Sequence, residues 1–488
     1  MRWLNYALVG RTLCSLLLFE SAFMLVPFFT AWSYGEYGDM RAFGVSIAVA
    51  LTIGLIGHFG IRPSRHAMSK YDGVLPTTLV WVVFSLFGMI PYMLAPTTRM
   101  PLPTAFCQAM SGFTTTGVSF VASVNTLSHA IHIWRSLTEW IGGLGIIIFT
   151  LALMPMISSS CGVQMFHAEQ DKIASGKVSP RISATARRIW GVYILLTAIL
   201  FALLCFGPMS AFEAACHSFA TMSTGGFSTS SDGINSFASV YVKVVITLFM
   251  FLGGVNFAMV YRASTGQPRA VVRNEAFLTY CRVILAATFV FIIGIVLNGA
   301  YTGWQSISID PLFQVVSIIT STGFILADYS SWGPTVVVVS LMLMFMGSCA
   351  GSSAGGVKID RVVYLLKFLK NSVKRTLRPN AVLPVRVSDR VVPVGQVGTI
   401  VAFICLYAMI AGIGALLLSL CVVPTGDSFV SAVAAMGNAS LSDTDSVVGC
   451  DYLALNSTAQ FILAALMLIG RLEIYSVLVI FSPSFWRR

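Results

Sequence analysis

The sequence predicts an all-α polytopic membrane protein of ten membrane spans with four shorter re-entrant helices, arranged as a fourfold repeat. Three observations carry this reading. Hydrophobic residues make up 56% and charged residues 10% of the 488, against roughly 45–50% and ~25% in soluble domains. Ten apolar runs each approach or exceed the ~20 residues that a bilayer core requires. A short polar segment ending at or near glycine recurs at the same point between four pairs of these runs.

The runs fall near 4–32, 42–60, 74–97, 133–157, 189–209, 239–262, 276–298, 335–370, 392–422 and 457–483. The first is too long for a signal-peptide core and lacks a small-residue cleavage site, so it reads as a retained first helix. An even number of spans puts both termini on one side. Of 30 Lys and Arg, 24 lie at the termini or in 61–72, 161–190, 262–275 and 357–391, and the positive-inside rule makes that side cytoplasmic. The opposite side inverts the bias, with Arg41, Arg99, Arg135 and Lys243 against eleven acids: Glu36, Asp39, Glu139, Glu213, Asp232, Asp310, Asp328, Asp427, Asp443, Asp445 and Asp451. An acidic outer face concentrates cations; outer loops that simply lack Lys and Arg are the alternative. The net charge of +11 is thus a topology signal, and no nucleic-acid partner is expected.

Between the third and fourth, fifth and sixth, seventh and eighth, and ninth and tenth runs lie apolar pieces at 103–112, 211–221, 309–318 and 426–435. At about ten residues none can span, so each is expected to form a re-entrant helix with an extended return. A second landmark repeats in phase. An apolar pair followed by glycine stands at Trp140-Ile141-Gly142, Phe251-Leu252-Gly253, Phe345-Met346-Gly347 and Leu468-Ile469-Gly470. One such glycine means only close packing, but four in register argue for duplication of a unit. The expected divisions are an N-terminal pair of extra spans at 1–72, then repeats at 73–160, 161–275, 276–378 and 379–488.

The polar segments carry the chemistry. Dehydrating a cation in a pore takes several converging oxygens of high dipole moment, which peptide carbonyls supply without net charge. Glycine lets successive carbonyls face one axis, and Thr or Ser adds a hydroxyl. Thr115, Thr116, Gly117 and Val118; Thr224, Gly225, Gly226 and Phe227; and Ser321, Thr322, Gly323 and Phe324 are the candidate walls of one filter. A single Thr-Gly pair is common in turns; the weight comes from its coincidence with the span repeat. The fourth wall, Asn438, Ala439 and Ser440, has Ser where the others have Gly. A positive φ is costly for Ser, so distortion is expected there, and Gly437 could take the role in a shifted alignment.

The eighth run is broken by ten small or polar residues from 347 to 356, including Gly347, Ser348, Gly351, Gly355 and Gly356, with Lys358 just beyond. Such a stretch must line a wet cavity or be enclosed by protein, and a mobile barrier across the path fits it; a helix kinked by small-residue packing is the alternative. Arg471, at the matching place in the tenth run, is a costly charge expected to face the interior. Glu473 at i+2 does not share its helix face. The ten Cys show no C-x-x-C spacing and read as small buried hydrophobes. The six His lack an H-E-x-x-H pattern and read as interfacial. No nucleophile-base or metal-ligand spacing suggests an enzyme, and no organic cofactor is expected.

With these segments in view, the chain resembles TrkH-type subunits of the Trk/Ktr/HKT superfamily of K⁺ and Na⁺ transporters. The match runs through 114–118, 223–228 and 320–324, the run from 347 to 358, and Arg471. The resemblance implies K⁺ uptake through a gated, channel-like path in a bacterial inner membrane. It also implies homodimers with one pore per subunit and a cytoplasmic ring of TrkA-like nucleotide-binding regulators. It assigns the intramembrane gate loop to 347–356 and the gating arginine to Arg471. The departure at Asn438, Ala439 and Ser440 weakens the carry-over of K⁺ selectivity and leaves a Na⁺-permeable or ion-coupled symporter as the alternative. The basic segment 357–391 is either the regulator's dock or an anchor on membrane lipids.

Overall fold

The computed structural model describes residues 5–61, 71–153, 182–299, 303–326, 329–378, 380, 383–387, 390–391, 394–440, 451–472 and 474–486. Six of the described helical stretches are long and apolar enough to cross a membrane: Tyr6–Ser33, Tyr37–Gly60, Val74–Leu94, Arg187–Cys205, Glu275–Asn298 and Val397–Leu420. Two further stretches qualify only as bent pairs, Val240–Gly253 with Phe257–Ser264 at 105° and Ser457–Arg471 with Tyr475–Phe481 at 116°. The fourth run forms the 25-residue helix His129–Leu153. A two-residue antiparallel pair, Arg386–Val387 with Arg390–Val391, is the strand structure among the described residues. The chain is a multi-pass helical membrane protein.

The short apolar pieces are helices, Leu102–Phe113, Ala211–Ser223, Trp304–Ile319 and Thr425–Gly437. Their starts follow local chemistry. Ser210 and Glu213 form a reciprocal capping box, with Glu213 N donating to Ser210 Oγ at 3.2 Å and Ser210 N to Glu213 Oε2 at 2.8 Å. Pro101 and Pro424 precede the first and fourth, where a fixed φ suits helix entry. The third begins earlier than the hydrophobic pattern suggests and carries Pro311 inside.

The sixth run reads as one span in sequence, yet the structure bends it sharply after Gly253. Asn256 restarts the helix there: its Oδ1 accepts from Ala258 N at 2.8 Å while its Nδ2 donates to Ala350 O at 2.7 Å. One side chain thus caps a helix and holds the neighbouring repeat. The tenth run bends after Arg471.

The recurring glycines have a steric reason. A Cβ on Gly142 would lie 2.0 Å from Phe113 O, and one on Gly470 would lie 2.2 Å from Met436 O. On Gly253 it would meet Thr224 Cγ2 at 3.1 Å. In each case the long helix passes against the end of its own short helix. Gly347 departs, because it ends its helix with φ +66° and opens the broken stretch. The first two spans pack on the first repeat, where Phe43 meets Trp134 with centroids 6.1 Å apart and Glu36 caps the helix at His129.

Gly142→Ala should therefore cost about 1–3 kcal/mol by overpacking against a backbone that cannot yield. Gly191→Ala, with nothing within 4 Å, should be neutral. Thermal unfolding of the two variants in detergent checks this; equal melting temperatures would contradict the packing account.

Candidate functional site

Each short helix ends in the same way. The residue after its last turn is left-handed, at Thr115 (φ 54°), Thr224 (55°), Ser321 (53°) and Asn438 (47°). In all four, that residue's N–H bonds the carbonyl three back, on Gly112, Thr221, Ile318 and Ala435. The next N–H bonds the carbonyl five back, on Ser111, Ala220, Ser317 and Ala434. This is the Schellman arrangement, usually made with glycine. Left-handed Thr or Ser costs about 1–2 kcal/mol, and the hydroxyls are used: Thr224 Oγ1 donates to Ser353 Oγ at 3.2 Å, and Ser321 Oγ accepts from Gly355 N at 2.7 Å.

Two residues on, Gly117, Gly226 and Gly323 take φ +75°, +90° and +79°, the positive values that the sequence pattern anticipates. Ser440 does not share the positive φ, so serine is accommodated by a different backbone and not by strain. The left-handed Asn438 fixes the alignment without a shift.

The four segments close into a ring. A Cβ on Gly117 would lie 1.9 Å from Gly225 O, one on Gly226 1.9 Å from Thr322 O, and one on Gly323 2.9 Å from both Ser440 N and O. The ring closes from fourth to first, with Asn438 Nδ2 donating to Thr116 Oγ1 at 3.1 Å. Thr115, Thr116, Thr224, Thr322 and Asn438 are all buried.

The first and third segments share further supports. Ser111 Oγ donates to Val118 O and Ser317 Oγ to Phe324 O, both at 2.8 Å. Gln108 Oε1 accepts from Phe120 N and Gln314 Oε1 from Leu326 N. The Val118 and Phe324 carbonyls are thus engaged by their own short helices. In the second repeat the matching positions are Ala220 and His217, and support comes from outside. Phe227 N donates to Glu139 Oε1 and Oε2 at 3.2 and 3.3 Å.

The broken stretch lies against the short-helix end of this ring. Ser353 Oγ contacts Thr224, Met222 O and Gly253 O. A Cβ on Gly355 would lie 2.1 Å from Gly437 O. Gly347, Gly351, Gly356 and Lys358 all have positive φ. Phe257 N bonds Gly351 O at 3.1 Å, Ile359 N bonds Ser348 O at 2.9 Å, and Lys358 Nζ bonds Ala354 O. Ala350 N donates to Asp360 Oδ2 at 2.6 Å. Arg471 ties this stretch to the first repeat, with Nη1 to Ser353 O and Nη2 to Gly142 O, both 2.7 Å. Glu473 lies outside the described residues.

Several of the charges counted for the outer face are buried within the protein. Arg135, Glu139 and Asp310 were expected on the outer face, but Arg135 and Glu139 are 1% and 0% exposed, and Asp310 pairs with Lys243 at 2.9 Å. Asp39 is also buried. A tally by segment cannot distinguish a loop charge from one turned inward on a helix. Asp328, Asp443 and Asp445 lie outside the described residues. His129 and His132 lie in the first turn of the helix His129–Leu153. Among the described residues no grouping of His, Cys, Asp and Glu could hold a metal ion.

A family model described as TrkH, cation transport protein, matches residues 46–273 and 278–488. The chain belongs to the TrkH family. It is a transport protein and not an enzyme. The Trk system potassium uptake protein TrkH of Escherichia coli (strain K12) is 31% identical over 99% of this chain and 100% of that protein. TrkH of Halomonas elongata is 30% identical over 99% of this chain and 100% of its own. The crystal structure of the potassium transporter TrkH from Vibrio parahaemolyticus superimposes with a TM-score of 0.88 at 27% identity, over 98% of this chain and 99% of that one.

For this TrkH-family chain the ring geometry grades its glycines. Gly117→Ser and Gly226→Ser drive a side chain into a neighbouring carbonyl from a positive φ, adding about 1–3 kcal/mol of strain each. Gly323→Ser meets Ser440 at longer range. Melting temperatures should fall further for the first two than for the third, and an equal fall would contradict the seam contacts.

Proposed function

We propose that the ring is the selectivity filter of a gated K⁺ uptake path. The observation that carries this reading is the ring of four Schellman-ended segments, joined at three seams by close backbone approach and at the fourth by the Asn438–Thr116 hydrogen bond. In it, carbonyls of Thr115, Thr116, Gly117, Thr224, Gly225, Gly226, Ser321, Thr322 and Gly323, with Asn438, Ala439 and Ser440, replace the water of a K⁺ ion. Val118, Phe227 and Phe324 close its outer end. The four short helices are pore helices, and the ten runs are ten spans, with divisions at 1–72, 73–160, 161–275, 276–378 and 379–488. Four repeats entering from one side suit a channel-like path better than the inverted halves of a carrier.

The stretch 347–356 is the gate. Arg471 holds it under the ring, and a guanidinium there repels cations as well. The names of the Trk system relatives support partnership with a TrkA-like nucleotide-binding ring docked on the basic stretch 357–391. Membrane lipids bound there are the alternative. We assign the chain to the bacterial inner membrane as a homodimer with both termini cytoplasmic. A Na⁺-permeable or ion-coupled path is the second reading, favoured by one observation: Ser440 breaks the fourfold backbone.

Flux into proteoliposomes containing the purified chain, compared for K⁺, Na⁺ and Rb⁺, tests the proposal. K⁺ and Rb⁺ entry well above Na⁺ is expected, and equal entry would favour the second reading. Arg471→Ala should raise basal K⁺ flux. Combining it with a shortened 347–356 stretch should add little, since both act on one closed state. Loss of flux in folded Arg471→Ala would contradict the gate.

A further inference from the structure

Glu139 is a fully buried acidic side chain on the long helix of the first repeat, and the filter and gate readings assign it no part in selectivity. Its two oxygens take the Phe227 N–H. It also fills the space beside the second segment, where a Cβ on Gly225 would lie 2.3 Å from Glu139 Cδ. The Phe227 N–H belongs to the same peptide plane as the Gly226 carbonyl. All peptide bonds described are trans, and in a trans peptide N–H and C=O point in opposite directions. An N–H held on Glu139, in the surrounding helix layer, therefore turns the Gly226 carbonyl away from that layer and toward the ring.

The need for this outside support is visible in the repeats. The first and third segments are braced by Ser111 with Gln108 and by Ser317 with Gln314 from their own short helices. The second repeat has Ala220 and His217 there. His217 turns instead to Glu213 O and Ser228 Oγ. Gly226 also has the largest φ of the three filter glycines, +90°, in a backbone region where glycine itself resists little rotation. One turn before Glu139, Arg135 lies over the Phe227 ring at 4.3 Å and donates to Ser119 Oγ at 3.0 Å. The two side chains together straddle the seam between the first and second segments.

We propose that Glu139, seconded by Arg135, is a positioning residue for ion selectivity, fixing the Gly226–Phe227 peptide so that its carbonyl faces the ion. The inference rests on the filter reading above. A carboxyl suits the task because both of its oxygens lie within reach of the one Phe227 N–H, so the peptide is held whichever oxygen accepts. Without it, the Gly226 peptide is free to turn, and the filter loses one wall's carbonyl while the path stays open.

The test is the K⁺-to-Na⁺ permeability ratio of the full-length protein in planar bilayers or proteoliposomes, measured for wild type, Glu139→Ala, Glu139→Gln and Gly226→Ser, with melting temperature recorded beside it. Glu139→Ala should lower the ratio severalfold while Na⁺ passage persists, because one ion-facing carbonyl is lost. Glu139→Gln, which keeps one carbonyl acceptor, should fall between it and wild type. A purely structural role would lower the melting temperature and leave the ratio unchanged, and that result overturns the proposal. Should Glu139→Ala fail to fold, Glu139→Gln decides alone: a reduced ratio supports the proposal and a wild-type ratio overturns it. A wild type with no K⁺ preference overturns the filter reading and this inference together. A preference lost in Gly226→Ser but kept in folded Glu139→Ala overturns the inference alone.

Discussion

Everything near the centre of this molecule depends on how four short helices stop. A helix that ends in the protein interior leaves carbonyls without partners, and each one left unsatisfied away from water costs several kcal/mol. The Schellman ending satisfies two of them and turns the chain within two residues. Because all four helices stop this way, the chain is delivered four times to the same level, and the backbones meet at Gly117 with Gly225, Gly226 with Thr322, and Gly323 with Ser440. Contacts this close exclude a Cβ. The glycines are therefore required by their neighbours as much as by their own φ.

The same endings explain why two of the left-handed positions, Thr224 and Ser321, carry a hydroxyl instead of being glycine. Thr224 and Ser321 present hydroxyls to Ser353 and Gly355, so the residue that turns the chain also docks the stretch beneath it. Asn438 uses its amide to reach Thr116 and Met467 O. Arg471 completes the arrangement with charge-assisted bonds to Ser353 O and Gly142 O. Its acceptors come from two different repeats, so any displacement of the stretch must break a strong hydrogen bond. The ring and the stretch 347–356 thus share one set of hydrogen bonds.

Much of this was legible in the sequence. Length and hydropathy located the short helices. The in-phase glycines announced the repeat, the density of small residues at 347–356 marked the break, and the isolated charge picked out Arg471. The rest depends on where side chains point, which a linear pattern does not encode. Arg135 and Glu139 lie inside the fourth apolar run, yet a tally of charges by segment counts them with the outer face; their i, i+4 spacing on one helix face is the available signal. The bend after Gly253 was hidden because a double glycine reads equally as packing, and only Asn256 three residues on hinted at a new helix start. The left-handed Thr115, Thr224 and Ser321 were missed because such residues seldom take that conformation. The fourth segment's outer part, 441–450, lies outside the described residues.

The central claim is that the four segments surround a single cation path. Anomalous diffraction from crystals of the protein grown in Rb⁺ tests it most directly. The account predicts anomalous density inside the ring, within bonding distance of carbonyls from at least the first three segments. Rb⁺ density confined to acidic outer sites, with none between Gly117, Gly226, Gly323 and Ser440, would contradict it.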